Sequence, residues 1–279
     1  MKKAILVVSF GTTYEDTKKV TIERIEERIR GTFKNYDIRR AFTSHIVIKV
    51  LKERDGIIED TPEEALDKLI KEGYSEVIVQ PLHLIPGKEY DYVKAVVNNY
   101  ENKMIFQKLG LGRPVLYYKS EEEGIPDDYG VLVEAIKETI PKDNAVVYMG
   151  HGTIHPVNAC YACLQSVLKD HGLEQVYIGT VEGYPTLQDV IRRLNKDEIK
   201  EVTLIPLMLV AGNHVKNDMA SDKENSWKNL LGKQGIKVNI YLHGLGEISK
   251  FQEIYLDHIR DVIENKYEGL GRTKKGIIG

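Results

Sequence analysis

The chain has 279 residues, with 39 Lys and Arg against 42 Asp and Glu and a formal net charge of −3 at pH 7. That length fits one large domain or two of about 140 residues, and a composition of 42% hydrophobic and 29% charged residues is that of an ordinary globular protein. The missing basic surplus argues against a nucleic-acid partner, and no apolar run approaches the roughly 18–20 residues of a membrane span.

The N-terminus, Met1-Lys2-Lys3 and a short apolar run, has no signal-peptide pattern, so the expected location is the cytoplasm. Ala4–Val8 is a continuous apolar run, as in a parallel strand covered on both faces. Thr12-x-x-Glu15 and Thr13-x-x-Asp16 offer overlapping helix starts, and Val20, Ile22, Ile25 and Ile29 follow at helical spacing. Tyr36–Phe42 reads as a strand. After a mixed segment, Thr61-Pro62-Glu63-Glu64 opens a helix that Gly73 closes. Glu76–Gln80 is the next strand, Lys88–Asn102 a helix and Pro114–Tyr118 a fourth strand. The acidic stretch Ser120–Asp128 is the best linker, and Val131–Ile140 a helix.

The second half repeats this order. Strands are expected at Ala145–Met149, Gln175–Thr180, Val202–Pro206 and Lys237–Leu242. Helices are expected at Pro156–Asp170, from Thr186 to Leu194, in the stretch up to Leu231, and at Ser249–Asn265. Four βα units per half predict an α/β protein of two similar, doubly wound parallel-sheet domains. The segment from Val77 through Pro81-Leu82-His83-Leu84 to Glu89 lies over Val202 through Pro206-Leu207-Met208-Leu209 to His214, and Phe10-Gly11-Thr12 lies over His151-Gly152-Thr153. These matches point to an internal duplication. The expected division is 1–125 and 126–279, with the final helix, about 249–265, free to pack back on the first lobe.

Ligands of open parallel sheets bind beyond the carboxyl ends of the strands. In the second half those ends carry His151, Glu182 and His214; in the first, Phe10, His45 and Glu89. Two imidazoles and a carboxylate suit a divalent first-row metal, and the absence of thiolate lets the metal leave again. A histidine can also accept a proton near neutral pH. His83, aligned with Met208, reads as a packed or rim residue, and His155 as a supporting or access group near His151. Cys160-x-x-Cys163 has no second pair and reads as packing. Tyr90, Tyr92 and Tyr184 suit a wide cleft around a flat, partly polar ligand. Gly110-Leu-Gly112 lacks the full dinucleotide-binding pattern.

The stretches Val7–Thr13, Ala41–Ser44, Gln80–Tyr90, Met149–Thr153, Val181–Pro185 and Pro206–Asp218 together resemble the anaerobic, single-subunit sirohydrochlorin cobaltochelatases, class II chelatases more distantly related to ferrochelatases. The resemblance spans about residues 4–260 and implies a bilobal chelatase fold. It also implies insertion of Co²⁺ into sirohydrochlorin on the anaerobic route to cobalamin. Carried over, the metal ligands fall on His151, Glu182 and His214, with His151 also the proton acceptor. Glu89 falls across the cleft as a second catalytic group. Phe10, Thr12, Lys88 and Glu89 are the expected substrate contacts, and Lys88, Asn213 and Lys216 suit the acidic arms of the macrocycle. No cofactor is expected to stay bound; cobalt enters as a substrate. The expected partners are the tetrapyrrole and the metal, with no nucleic acid and no membrane, and a homo-oligomer is compatible with the sequence. Iron or nickel insertion on the same scaffold, or non-catalytic carriage of the metal or the tetrapyrrole, are the alternatives. Gly271–Gly279 lies beyond the resemblance and reads as a loose tail.

Overall fold

The computed structural model describes residues 1–270, so the tail expected at Gly271–Gly279 lies outside the described residues. β1 (Lys2–Ser9), β2 (Asp37–Phe42), β3 (Tyr74–Pro81) and β4 (Lys108–Leu111) form one parallel sheet in the order β2-β1-β3-β4. β5 (Ala145–Gly152), β6 (Val176–Glu182), β7 (Glu201–Leu207) and β8 (Lys237–Ile240) form another in the order β6-β5-β7-β8. The orders coincide when each strand is matched to the one four places later, as a duplicated unit requires. In each sheet the chain leaves the first strand to one side and returns on the other, which opens a crevice at the carboxyl edge.

The connecting helices are α1 (Glu15–Val20), α2 (Ile22–Thr32), α3 (His45–Asp55), α4 (Pro62–Lys71), α5 (Lys88–Asn102), α6 (Asp128–Ile136), α7 (Ala159–Asp170), α8 (Leu187–Lys196), α9 (Trp227–Gly232) and α10 (Ser249–Ile263). α4 and α5 bury Leu66, Leu69, Val93 and Val97 against Leu6, Val77 and Val79 on one face of the first sheet. On the far face of the second sheet, Val190, Leu194, Trp227 and Leu231 of α8 and α9 cover Val147 and Leu204. Between the sheets a single apolar core runs from Ile5, Val7 and Ile78 through Leu132, Phe251 and Tyr255 to Val146 and Tyr148. The lobes therefore share buried surface. The last helix, α10, contributes to this layer and lies against β3, β4, α2 and α6.

Local signals act as read. Thr61 Oγ1 accepts from the Glu64 N–H, and the Glu64 carboxylate accepts from the Thr61 N–H at 2.9 Å, with Pro62 opening α4. Thr186 and Asp189 form the same box at α8.

Three parts of the chain differ from expectation. The fourth strand is Lys108–Leu111 rather than 114–118. It is a short, half-buried edge strand, and a Cβ on its Gly110 would lie 2.4 Å from Val262 Cγ1 of α10. A helix thus packs directly on a strand whose glycine hides its pattern. The apolar run Val115-Leu116 is buried but irregular, bonding to the His83 and Leu84 carbonyls. The mixed segment contains α3, started by Ser44 Oγ accepting from the Val47 N–H; its β-branched residues obscure a helix. Finally, the helical stretch up to Leu231 is a π-turn at Val215–Met219 and then α9, separated by polar residues 220–226. Among the described residues no helix is long and apolar enough to cross a membrane.

Candidate active site

β5 ends at Met149-Gly150-His151-Gly152, and its neighbours β6 and β7 end at Glu182 and Leu207. Gly152 has φ +77°, and a Cβ there would lie 1.6 Å from the Glu182 carbonyl oxygen. Only glycine lets the end of β6 close so tightly on β5. The pairing sets Glu182 opposite Gly152, one residue past His151.

Beyond β7, the turn through Gly212 and Asn213 brings His214 back over the strand ends. The rings of His151 and His214 meet edge to face with centroids 4.6 Å apart. Each ring has its Nδ1 occupied. His151 Nδ1 lies 2.9 Å from the Gly152 carbonyl oxygen, and His214 Nδ1 lies 2.6 Å from Asp218 Oδ2. Both partners are acceptors, so each Nδ1 carries the hydrogen and donates it. In the neutral form of each imidazole, Nε2 then keeps its lone pair. Asp218 reaches His214 one turn along the π-turn, and sequence reasoning gave it no separate role. The His-x-x-x-Asp spacing was its only signal.

The model of the cobalt chelatase (CbiK) family matches residues 3–264. The chain belongs to the cobalt chelatase family. It is 38% identical over 271 residues to the sirohydrochlorin cobaltochelatase of Salmonella typhimurium, covering 96% of this chain and 99% of that one. It is 34% identical over 262 residues to the sirohydrochlorin cobaltochelatase CbiKC of Nitratidesulfovibrio vulgaris, covering 92% and 89%. In fold it resembles the sirohydrochlorin chelatase SirB of Bacillus subtilis, with TM-score 0.63 and 15% identity over 95% of this chain and 97% of that one.

In this chelatase the structure brings His151 and His214 together and leaves Glu182 beside them, its side chain exposed. Among the described residues no three His, Cys, Asp or Glu side chains stand close enough together to hold a metal as they are placed. Phe10 beyond β1, Ile154 beyond β5 and Tyr184 beyond β6 are exposed, by 50%, 83% and 55%. Large apolar groups therefore edge both sheets. Thr12 is nearly buried, its Oγ1 accepting from the Tyr14 N–H at 3.2 Å. Lys88 and Glu89 open α5, the first exposed and the second half-buried. His45 opens α3 and is exposed.

The two edges face each other. His155 Nε2 lies 3.3 Å from Asp91 of α5, and a Cβ on Gly87 would touch Val157. On the other side Lys216 Nζ sits 4.0 Å from the Tyr14 ring centroid and 3.3 Å from Asp16 Oδ2. These contacts tie the loops after β3 and β1 to those after β5 and β7, with His151 and His214 on the second-lobe side. His155 is thus a tie between lobes, its Nδ1 also accepting from the Val157 N–H. Among the tyrosines expected at the cleft, Tyr90 is buried against Tyr117, and Tyr92 donates to Glu63. Cys160 and Cys163 are free thiols on α7; burial pushes both pKa values up, which suits packing rather than reactivity.

Proposed function

We propose that this chain is a sirohydrochlorin cobaltochelatase, inserting Co²⁺ into sirohydrochlorin with release of both pyrrolic protons, in anaerobic cobalamin biosynthesis. The observation that carries the mechanism is the His151–His214 pair, each ring held through Nδ1 with Nε2 free. Two neutral imidazole lone pairs at one sheet edge suit a divalent first-row ion. Glu182 is the third ligand: its exposed side chain, at the adjoining strand end, turns in to complete the set. Nitrogen and oxygen ligands hold the ion without trapping it, as a delivered substrate requires. No resident cofactor takes part.

The macrocycle lies between the lobes, against Phe10 on one side and the histidines on the other. As cobalt passes to the pyrrolic nitrogens, His151 Nε2 regains its lone pair and takes one N–H proton. The same nitrogen thus serves in turn as ligand and base. Glu89, on the opposing lobe, receives the other. Lys88, Asn213 and Lys216 meet the acidic arms of the ring, and Thr12 braces the Phe10 turn. The chain works in the cytoplasm, a reducing compartment that suits its two free thiols.

The test is anaerobic incubation of the purified protein with sirohydrochlorin and Co²⁺, followed by absorbance. A metallated product formed far faster than without protein is expected; an unchanged rate overturns the reading. Parallel runs with Fe²⁺ and Ni²⁺ should be slower. Asp218→Asn is expected to weaken Co²⁺ binding about 10–100-fold, because His214 loses the acceptor that fixes its tautomer and raises its basicity. Titration with Co²⁺ alone checks this, and an unchanged affinity removes Asp218 from the site.

A further inference from the structure

Among the described residues, the buried side-chain polar atoms without a hydrogen-bond partner are Ser9 Oγ, Thr43 Oγ1, Gln80 Oε1 and both ring nitrogens of His83. All belong to the carboxyl edge of the first sheet. Ser9 ends β1, Thr43 follows β2, and Gln80 and His83 flank the end of β3. A buried polar atom without a partner loses its hydration with nothing in return, so folded proteins carry few of them. Their confinement to one sheet edge, opposite the histidine pair, marks that edge as built for something other than stability.

His83 is the member that can act. Ser9, Thr43 and Gln80 are almost wholly enclosed, whereas His83 keeps some exposed surface, none of it on a ring nitrogen. Its main chain is fixed, since the Val115 N–H donates to its carbonyl at 3.2 Å and the Leu116 N–H to that of Leu84 at 2.8 Å. What remains free is the ring, and a half-turn about Cβ–Cγ exchanges nitrogen and carbon positions. Burial lowers its pKa to about 4, so the ring is neutral, with one N–H donor. The second sheet carries Met208 at the matching place, so packing there does not call for an imidazole. The segment leads directly through Gly87, which faces Val157 across the cleft, to Glu89.

We propose that His83 is a substrate-binding residue whose imidazole N–H turns outward to donate to a carboxylate arm of the macrocycle, fixing the ring's orientation between the lobes. This rests on the reading of sirohydrochlorin as substrate.

The experiment compares the parent with His83→Met, which copies the second sheet, and His83→Gln, which keeps a donor. The readouts are melting temperature, affinity for metal-free sirohydrochlorin, affinity for Co²⁺ alone, and kcat and KM for insertion. His83→Met is expected to melt at or above the parent temperature, having lost two unpartnered nitrogens. Its Kd and KM for sirohydrochlorin should rise about tenfold, the loss of one hydrogen bond to a charged group. Its kcat and Co²⁺ affinity should stay near parental, and His83→Gln should recover much of the binding. A folded His83→Met or His83→Gln protein shows the role to be packing if both bind sirohydrochlorin as the parent does. Altered Co²⁺ affinity with unaltered macrocycle affinity also overturns the proposal. A parent that neither binds nor metallates sirohydrochlorin instead brings down the chelatase reading, so the two failures are distinguishable.

Discussion

Replacing His151 by Ala is expected to slow cobalt insertion by about a hundredfold or more, the usual contribution of a positioned proton acceptor, with loss of a metal ligand added to it. The side chain is exposed at the end of β5, so folding should be nearly unaffected. The check is the initial rate with saturating sirohydrochlorin and rising Co²⁺, beside a thermal melt. His214→Ala should behave differently. It removes a ligand but leaves the His151 base, so high Co²⁺ should restore most of its rate, whereas His151→Ala should stay slow at any Co²⁺ concentration because its base is gone. A folded His151→Ala protein inserting cobalt at the parental rate would remove His151 from the mechanism.

The second large effect concerns the layer between the sheets. Arg113 Nε lies 3.0 Å from both oxygens of Asp128, and its Nη1 lies 2.8 Å from Asp261 Oδ2. His258 Nδ1 donates to the Arg113 carbonyl at 2.9 Å, and the Tyr118 N–H donates to Asp128 at 2.9 Å. The Arg113 side chain is 13% exposed and that of Asp128 2%. This cluster joins the chain leaving β4, the start of α6 and the last helix, α10. Arg113→Ala would strand Asp128 as a buried charge left with His258, whose Nε2 lies 3.5 Å away, and the Tyr118 N–H. A cost of about 3–5 kcal/mol is expected, a fall in melting temperature of roughly 6–20 °C. Thermal unfolding followed by circular dichroism measures it. A shift within about 2 °C would mean that the shared apolar core alone holds α10 in place.

Much of the architecture was legible in the chain because its strands are buried on both faces. Ala4–Val8, Val77–Val79 and Ala145–Met149 are unbroken apolar runs, which a half-exposed strand would not show. The helix starts at Thr61 and Thr186 were legible because a cap is a contact between residues three apart. The edge strand Lys108–Leu111 was not, since it is short, half-buried and interrupted by a glycine that serves α10. Nor was α3, whose β-branched residues are held helical by tertiary contacts and the Ser44 cap.

The site divides in the same way. Sequence alone determined that His151, Glu182 and His214 lie at or beyond the carboxyl ends of three successive strands, because repeated βα units run parallel. Only the tertiary structure decided that the His151 and His214 rings meet at 4.6 Å while Glu182 stays exposed and outside their cluster, and that Asp218 and the Gly152 carbonyl hold the Nδ1 hydrogens. It also decided that unpartnered polar atoms gather on the opposite edge. The reason is physical: periodicity records which face of an element is buried. The distance between side chains on separate loops depends on how sheets twist, loops close and lobes dock, and no local pattern encodes that.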